Sequence, residues 1–256
     1  MTSFRIGQIV PSSNTTMETE IPAMLRAREA VRPERFTFHS SRMRMHKVTP
    51  EALQAMNREA GRCAGELADA RVDVISTACL VAIMASGRGY HRQAEHELER
   101  VCLDNGCNAK VMTSAGALIE GLNAIGARKI SLLAPYMRSL TRLVVDYIEA
   151  EGIEVVDAIS FEIPDNLAVG CRDPMDLVRD AKRLSIANVD AVVLSACVQM
   201  RSLPAIATVQ ASLGIPVTST AVCTVRGMLT RLGLEPIVPD AGELLSGRAR
   251  EVGALG

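Results

Sequence analysis

The sequence predicts an α/β protein of two similar doubly wound lobes, each with a parallel sheet, related by a pseudo-twofold axis with a cleft between them. Short apolar runs rich in Val, Ile and Leu alternate with longer helical stretches along the 256 residues, which is the pattern of parallel β-α-β units. Segments of the first half also recur in the same order in the second half. Such repetition indicates a duplicated structural unit.

The repeated segments fall into three pairs. Residues 5–11 resemble 129–135, residues 72–79 resemble 189–197 with one extra residue, and residues 110–121 match 216–227 at a constant offset. One match between Val-rich strands carries little weight, but three in the same order favour duplication.

In the first half, a strand is predicted at 5–10 and a helix at 49–71, because Thr49 suits a helix cap and Pro50 suits a first turn. The remaining elements of this half are a strand at 72–79, a helix near 90–105, a strand at 109–112 and a helix at 114–125 followed by Gly126. Gly126 is typical of the residue that ends a helix.

In the second half, a strand at 129–134 ends at Pro135. It is followed by a helix at 140–151, strands at 153–158 and 189–197 with a helix at 173–187 between them, a helix at 204–213, a strand from Val217 and a helix at 220–232. The helices that start at 114 and 220 are natural crossovers between the two lobes. The expected division is a first lobe of 1–115 plus 221–256 and a second lobe of 116–220.

The composition excludes several classes of function. The 28 basic and 29 acidic residues balance, and aromatic residues are scarce, with no Trp, so nothing favours a nucleic-acid partner. No apolar run reaches the about 20 residues that cross a bilayer, so no membrane partner is expected. Neither a Gly-x-Gly-x-x-Gly turn after the first strand nor a Walker A motif is present. Seven cysteines without C-x₂-C spacing indicate free thiols in a reduced cytoplasmic protein.

Two cysteines occupy matching places in the halves. Cys79 and Cys197 each end an apolar run that reads as a buried parallel strand, and ligands of open α/β sheets bind at the carboxyl ends of strands. An ordinary buried cysteine is the common alternative for either one, but the matched pair favours an active site between the lobes. The other five cysteines have no matched setting and are predicted to be structural or incidental: Cys63, Cys102, Cys107, Cys171 and Cys223.

Polar loops follow the strands that flank these thiols. The loop at 11–16 is rich in hydroxyl and amide groups, which hold carboxylates well. In the equivalent loop of the second half, Tyr136 or Arg138 is a candidate for a second carboxylate, and 164–166 is a further polar turn. Each loop alone is explained equally well as a turn. Their placement around two thiols favours a binding role.

The histidines do not indicate a metal or acid-base site. His91 and His96 are five residues apart in a helical stretch, which places them on different faces. A solvated helix surface is expected for both. The basic stretch 41–47, which contains His46, is interpreted as a solvated loop or a lid.

These motifs resemble the aspartate/glutamate racemase superfamily, and more narrowly its maleate cis-trans isomerases. The segments 78–84 and 195–200 look like the two cysteine motifs of that family, and 11–18 resembles its substrate loop. Amino-acid racemases usually carry Cys-Asn-Thr and Cys-Thr-His, whereas this chain has Cys-Leu-Val and Cys-Val-Gln at Cys79 and Cys197. Arylmalonate decarboxylases keep only the second-lobe cysteine, so Cys79 argues against that activity.

The resemblance implies specific roles. Cys79 is expected to be the nucleophile and Cys197 the proton donor and acceptor opposite it. The remaining positions implied to contact the substrate are Asn14, Tyr136, Asn166, Leu80, Val81 and Val198. The implied reaction converts maleate to fumarate through a covalent succinyl-cysteine and requires no cofactor.

The resemblance also implies a homodimer and a place in nicotinate catabolism. Two alternatives stay open at this point. A racemase or epimerase of amino or hydroxy acids would use the same thiols as opposed bases, and a non-catalytic protein would bind a small acid without turnover.

Overall fold

Two parallel four-stranded sheets form the frame of the molecule in the computed structural model, which describes residues 2–45 and 50–247. The first sheet has the order β2-β1-β3-β4, and the second has the equivalent order β6-β5-β7-β8. The strands are β1 (Ser3–Pro11), β2 (Arg35–Met43), β3 (Val74–Thr77), β4 (Lys110–Thr113), β5 (Lys129–Ala134), β6 (Glu154–Ser160), β7 (Ala191–Ser195) and β8 (Val217–Ser219). The predicted pair of similar α/β lobes is confirmed.

Helices cover both sheets. They are α1 (Met17–Glu29), α2 (Pro50–Asp69), α3 (Leu80–Ala85), α4 (Tyr90–Asp104), α5 (Ser114–Ile125), α6 (Arg138–Ala150), α7 (Asn166–Cys171), α8 (Asp176–Ala181), α9 (Leu203–Leu213) and α10 (Thr220–Arg231). A 3₁₀ turn follows at Glu243–Leu245. Within the described ranges, no helix combines the length and apolar character that crossing a membrane needs.

Several boundaries differ from the sequence prediction. The helix expected at 173–187 is wrong in extent, because the chain there forms α8 and then turns that lead to Asn188, whose φ is 59°. α7 was not predicted; it begins at the last residue of the predicted polar turn 164–166, and Asp165 caps it by accepting hydrogen bonds from the N–H groups of Leu167 and Ala168. α1 and β2 were not predicted. The expected cap Thr49, and with it His46 and Lys47, lie outside the described residues.

The two crossover helices pack closely against the opposite half. A Cβ added to Gly121 on α5 would lie 2.9 Å from the Cβ of Cys223 on α10, and one added to Gly227 on α10 would lie 3.1 Å from the Sδ of Met112 on β4. These glycines stand at matched positions of the repeat. The absence of a side chain at both lets the helices approach. The exact division of the chain into lobes stays a prediction.

His91 does not lie on a solvated surface, and that expectation is wrong. Its side chain is buried, and Nδ1 lies 2.5 Å from the hydroxyl of Tyr147 on α6. Beside it, Arg92 donates to Glu151 at 2.9 Å. The reason is that α4 of the first lobe packs against α6 of the second, so this face of α4 meets protein instead of water. His96 is exposed, as expected.

Candidate active site

Cys79 stands in a strained turn at the end of β3. The N–H of Ala78 donates to the carbonyl of Ile9 at 2.8 Å, and Cys79 then adopts φ 77° and ψ 67°. This left-handed conformation is costly for a residue with a Cβ and is often found at functional sites. Cys79 caps α3, and its carbonyl accepts the N–H of Ala82 at 3.1 Å.

The turn at Cys197 has the same origin in the second lobe. The N–H of Ala196 donates to the carbonyl of Leu133 at 2.9 Å, which repeats the bond at the end of β3. The hydroxyl of Ser195 donates to the carbonyls of Cys197 at 2.8 Å and Met200 at 2.9 Å, and these two bonds curl the chain after the strand. The N–H of Gln199 points at the Cys197 sulfur, 3.4 Å away.

The two turns face each other across a small pocket between the lobes. Every residue that the sequence predicted for the site lines it: Asn14, Cys79, Leu80, Val81, Tyr136, Asn166, Cys197 and Val198. The described lining also includes Pro11, Met45 and Gln199. It contains no Asp, Glu, Lys or Arg. The alternative candidate Arg138 lies outside the pocket and pairs with Glu162 at 3.1 Å.

Hydrogen-bond donors without partners point to a ligand that accepts. Within the described residues, the N–H groups of Leu80, Val81 and Val198 have no acceptor. The Oδ1 of buried Asn14 accepts from the N–H groups of Thr16 at 2.9 Å and Met17 at 3.0 Å. That arrangement leaves the Nδ2 of Asn14 as a free donor. A carboxylate is the ligand that best satisfies such a set of neutral donors.

Burial dominates the electrostatics of the reactive groups. It raises the pKa of Cys79 to about 12, with one lowering contribution from the N–H of Ala82 and a raising one from the nearby Cys197. Burial also raises the pKa of Cys197, but three donors oppose it, namely the Tyr136 hydroxyl and the N–H groups of Gln199 and Met200. The pKa of Tyr136 lies well above 10 for the same reason of burial. Negative charge is therefore better stabilised at Cys197 than at Cys79. Because the two sulfurs are close, ionisation of one thiol disfavours ionisation of the other.

Besides Met45, which lies in the stretch interpreted as a solvated loop or a lid, sequence reasoning missed Gln199 as a site residue. Its side chain is 2% exposed and contacts the loop at 11–16 in the other lobe. The only available signal was its place two residues after Cys197 in a family motif. Nothing in the sequence indicates that its amide reaches a loop so distant along the chain.

The comparisons with known proteins agree with this geometry. The family model described as arylmalonate decarboxylase matches residues 6–245. A maleate isomerase of Pseudomonas putida is 61% identical over 244 residues, which is 95% of this chain and 98% of the relative.

Solved structures give the same result. The maleate isomerase of Pseudomonas putida S16, as a cysteine-to-alanine variant with maleate, has a TM-score of 0.95 at 56% identity, covering 96% of this chain and 98% of that one. The maleate cis-trans isomerase of Nocardia farcinica, as a cysteine-to-serine variant with a covalently bound succinylcysteine intermediate, has a TM-score of 0.91 at 46% identity, covering 95% and 98%. The chain belongs to the maleate isomerases within the family that the arylmalonate decarboxylase model describes.

Proposed function

We propose that this protein isomerises maleate to fumarate by reversible addition of Cys79 to the double bond, with Cys197 as the proton carrier. The observation that carries the proposal is the pair of cysteine thiols on opposite walls of one pocket, whose described lining contains no Asp, Glu, Lys or Arg. The family relationship supports the same reaction, because the relatives are maleate isomerases over nearly their whole length.

The first step places a proton and an electron pair as follows. Ionised Cys197 accepts the proton of Cys79 as the Cys79 sulfur attacks C2 of maleate. The S–C2 bond forms, the C2–C3 π bond breaks, and its electron pair moves to C3 and its carboxylate. Cys197 then donates the same proton to C3. The donors around Cys197 support this division of charge, because they stabilise its thiolate while Cys79 stays protonated until it attacks.

Rotation about the new C2–C3 single bond follows. The covalent succinyl-cysteine carries two carboxylates that repel each other, which favours the trans arrangement. Cys197 then removes the proton from C3, the double bond forms again, and the S–C2 bond breaks. The proton returns to Cys79, and fumarate leaves with both thiols in their starting states.

Neutral donors suit a substrate that must rotate. The carboxylate on C2 stays near the fixed sulfur, where the open N–H groups of Leu80 and Val81 are close by. The other carboxylate must swing. Amide and phenol groups such as those of Asn14, Tyr136 and Asn166 hold it less tightly than an Arg fork would, while burial of the pocket protects the intermediate from water.

The test is proton NMR of maleate with the reduced protein and no added cofactor. The cis vinyl singlet is expected to give way to the fumarate singlet. Cys79→Ala is expected to abolish turnover, because no nucleophile remains, and Cys197→Ala is expected to abolish it while Cys79 still alkylates. Full activity in either variant contradicts the two-thiol scheme. An unchanged maleate signal, together with deuterium exchange at the α-carbon of a chiral acid, would instead indicate a racemase.

We further propose a homodimer that works in the cytoplasm. Cyclic dimers are the commonest symmetric assembly, and seven free cysteines suit a reducing compartment. Service in nicotinate degradation is proposed on the family resemblance alone. Sedimentation of the purified protein checks the assembly, and a monomer at assay concentrations contradicts it.

A further inference from the structure

The side chain of Gln199 connects the two lobes directly at the pocket. Its Oε1 accepts the N–H of Thr15 at 2.8 Å. Its Nε2 donates to the carbonyl of Asn166 at 2.8 Å and to that of Ser13 at 3.3 Å. Its backbone carbonyl accepts the hydroxyl of Thr16 at 2.7 Å. One residue therefore bonds to the loop before α1 and to the first residue of α7.

These bonds fix both amides that face the substrate. Asn14 lies inside the Ser13–Thr16 loop that Gln199 holds from either side. Asn166 is held at its carbonyl by Gln199, and its own Nδ2 donates to the Ser13 hydroxyl at 2.9 Å. The separation of Asn14 from Asn166 therefore depends on the Gln199 amide. The backbone N–H of the same residue points at Cys197, so the proton carrier shares this support.

Gly170 on α7 makes room for the Gln199 side chain, whose hydrogen bonds form a bridge between the loop at 13–16 and α7. A Cβ there would lie 2.7 Å from Nε2 of Gln199 and 2.8 Å from Oγ1 of Thr15. The requirement is one of space, because the φ of Gly170 is not in the left-handed region. Any larger residue must displace the Gln199 amide or the exposed Thr15 side chain.

We propose that Gln199 is a positioning residue for isomerisation, which sets the distance between the Asn14 and Asn166 amides and the placement of Cys197. The expected change in kcat rests on the proposed function. The carboxylate that swings during rotation meets the amides of Asn14 and Asn166, so donors held at a fixed spacing match its rotated position better than loosely held donors do. Misplacement of such groups by about 1 Å costs on the order of 100-fold in rate.

The main variant is Gln199→Met, which keeps the length of the side chain and removes its hydrogen bonds. We expect kcat to fall about 100-fold, with a much smaller change in KM, because each carboxylate keeps its own donors. The matched control is Gln210→Met. Gln210 also bridges backbone groups, accepting from the N–H groups of Val217 at 3.2 Å and Glu243 at 3.0 Å, but it is not among the residues that line the pocket. That control is expected to keep its kcat.

Gly170→Ala perturbs the bridge by a second route. It removes no hydrogen-bonding group and crowds the Gln199 amide and the exposed Thr15 side chain, so it serves if Gln199→Met does not fold. A lowered kcat is expected, and in a Gln199→Ala background the same substitution is expected to add little. Full additivity of the two losses would contradict a shared action through the amide.

A third readout is independent of isomerase activity. In a Cys79→Ala background, alkylation of the Cys197 peptide by iodoacetamide is followed by mass spectrometry across pH. Gln199→Met is expected to move the midpoint upward, since the N–H that stabilises the thiolate loses its placement. If wild type does not convert maleate, the proposed function fails and this shift alone decides the role of Gln199. An unchanged kcat in Gln199→Met, an equal loss in Gln210→Met, or an unmoved midpoint overturns the proposal.

Discussion

At the scale of single residues, the Tyr136 hydroxyl sets the chemistry of Cys197. Tyr136 is buried and donates to the Cys197 sulfur, which lowers the pKa of the thiol against the effect of burial. The proposed mechanism needs Cys197 ionised before Cys79 attacks. In the proposed scheme, the phenol therefore supports the proton carrier in addition to contacting the substrate.

We expect Tyr136→Phe to lower kcat/KM and to shift its pH dependence. A hydrogen bond to a charged group contributes about 2 kcal/mol, which corresponds to about 30-fold in kcat/KM. Activity rises with pH as Cys197 ionises, so loss of the donor raises the pKa and moves the ascending limb of the pH profile to higher pH. Steady-state kinetics across pH measure both effects. Tyr147→Phe, which removes a buried hydroxyl outside the pocket, is expected to leave that limb in place.

The conformation of Cys79 has a measurable cost as well. Its φ of 77° suits glycine and disfavours any residue with a Cβ, by about 1 kcal/mol. We expect Cys79→Gly and Cys79→Ala to be equally inactive, but Cys79→Gly to be more stable to urea by about 1 kcal/mol, because only the alanine keeps the strain. Equal midpoints would show that the turn is not strained.

At the scale of elements, the crossover helices α5 and α10 are joined through glycine. Alanine is favoured over glycine inside a helix by about 1 kcal/mol, yet a Cβ at Gly121 meets the Cys223 side chain. We expect Gly121→Ala to destabilise the fold by about 1–3 kcal/mol. Gly61→Ala on α2, where a Cβ meets nothing within 4 Å, is expected to stabilise it. Urea denaturation of both variants compares the gain in helix propensity with the cost of steric overlap. A stabilised Gly121→Ala would contradict close packing of the two helices.

Prediction from the sequence succeeded where local pattern decides the structure. Cys79 and Cys197 each follow an apolar run, and the end of a parallel strand places a side chain at the sheet edge. α5 and β5 have the expected bounds. α1 was missed because Pro22 lies inside it and interrupts the helical pattern.

The features that were not predicted depend on long-range contacts. The bond from Thr15 to Gln199 joins residues 184 positions apart, and no local spacing indicates it. His91 was placed on a solvated face because helical periodicity does not show that the second lobe covers that face. Placement after the strands singled out the loops at 11–16 and 164–166 and the choice between Tyr136 and Arg138, and the family motif then selected Asn14, Tyr136 and Asn166.

At the scale of the whole molecule, the contact between α4 and α6 ties the lobes together away from the pocket. His91 and Tyr147 are both buried there, and the adjacent pair of Arg92 and Glu151 lies at the edge. Burial lowers the pKa of His91 below its ordinary value of 6.5, and the neighbouring Arg92 adds to the effect. The neutral imidazole is therefore the form that the folded contact accepts.

This contact makes stability depend on pH in a direction that can be calculated. Because the folded pKa of His91 is lower than the unfolded one, its contribution is complete above about pH 6.5 and is lost as pH falls toward the folded pKa. The carboxyls of Glu20 and Glu95 have pKa values raised above 4.5 by burial, so their contribution to stability is lost as pH rises above 4.5, which is the opposite direction. Comparison with His91→Gln separates these effects. We expect the unfolding free energy of wild type, from urea titrations at about pH 7.5 and 5.5, to fall more than that of His91→Gln. Equal losses in the two proteins would show that protonation of His91 does not weaken the contact between the lobes.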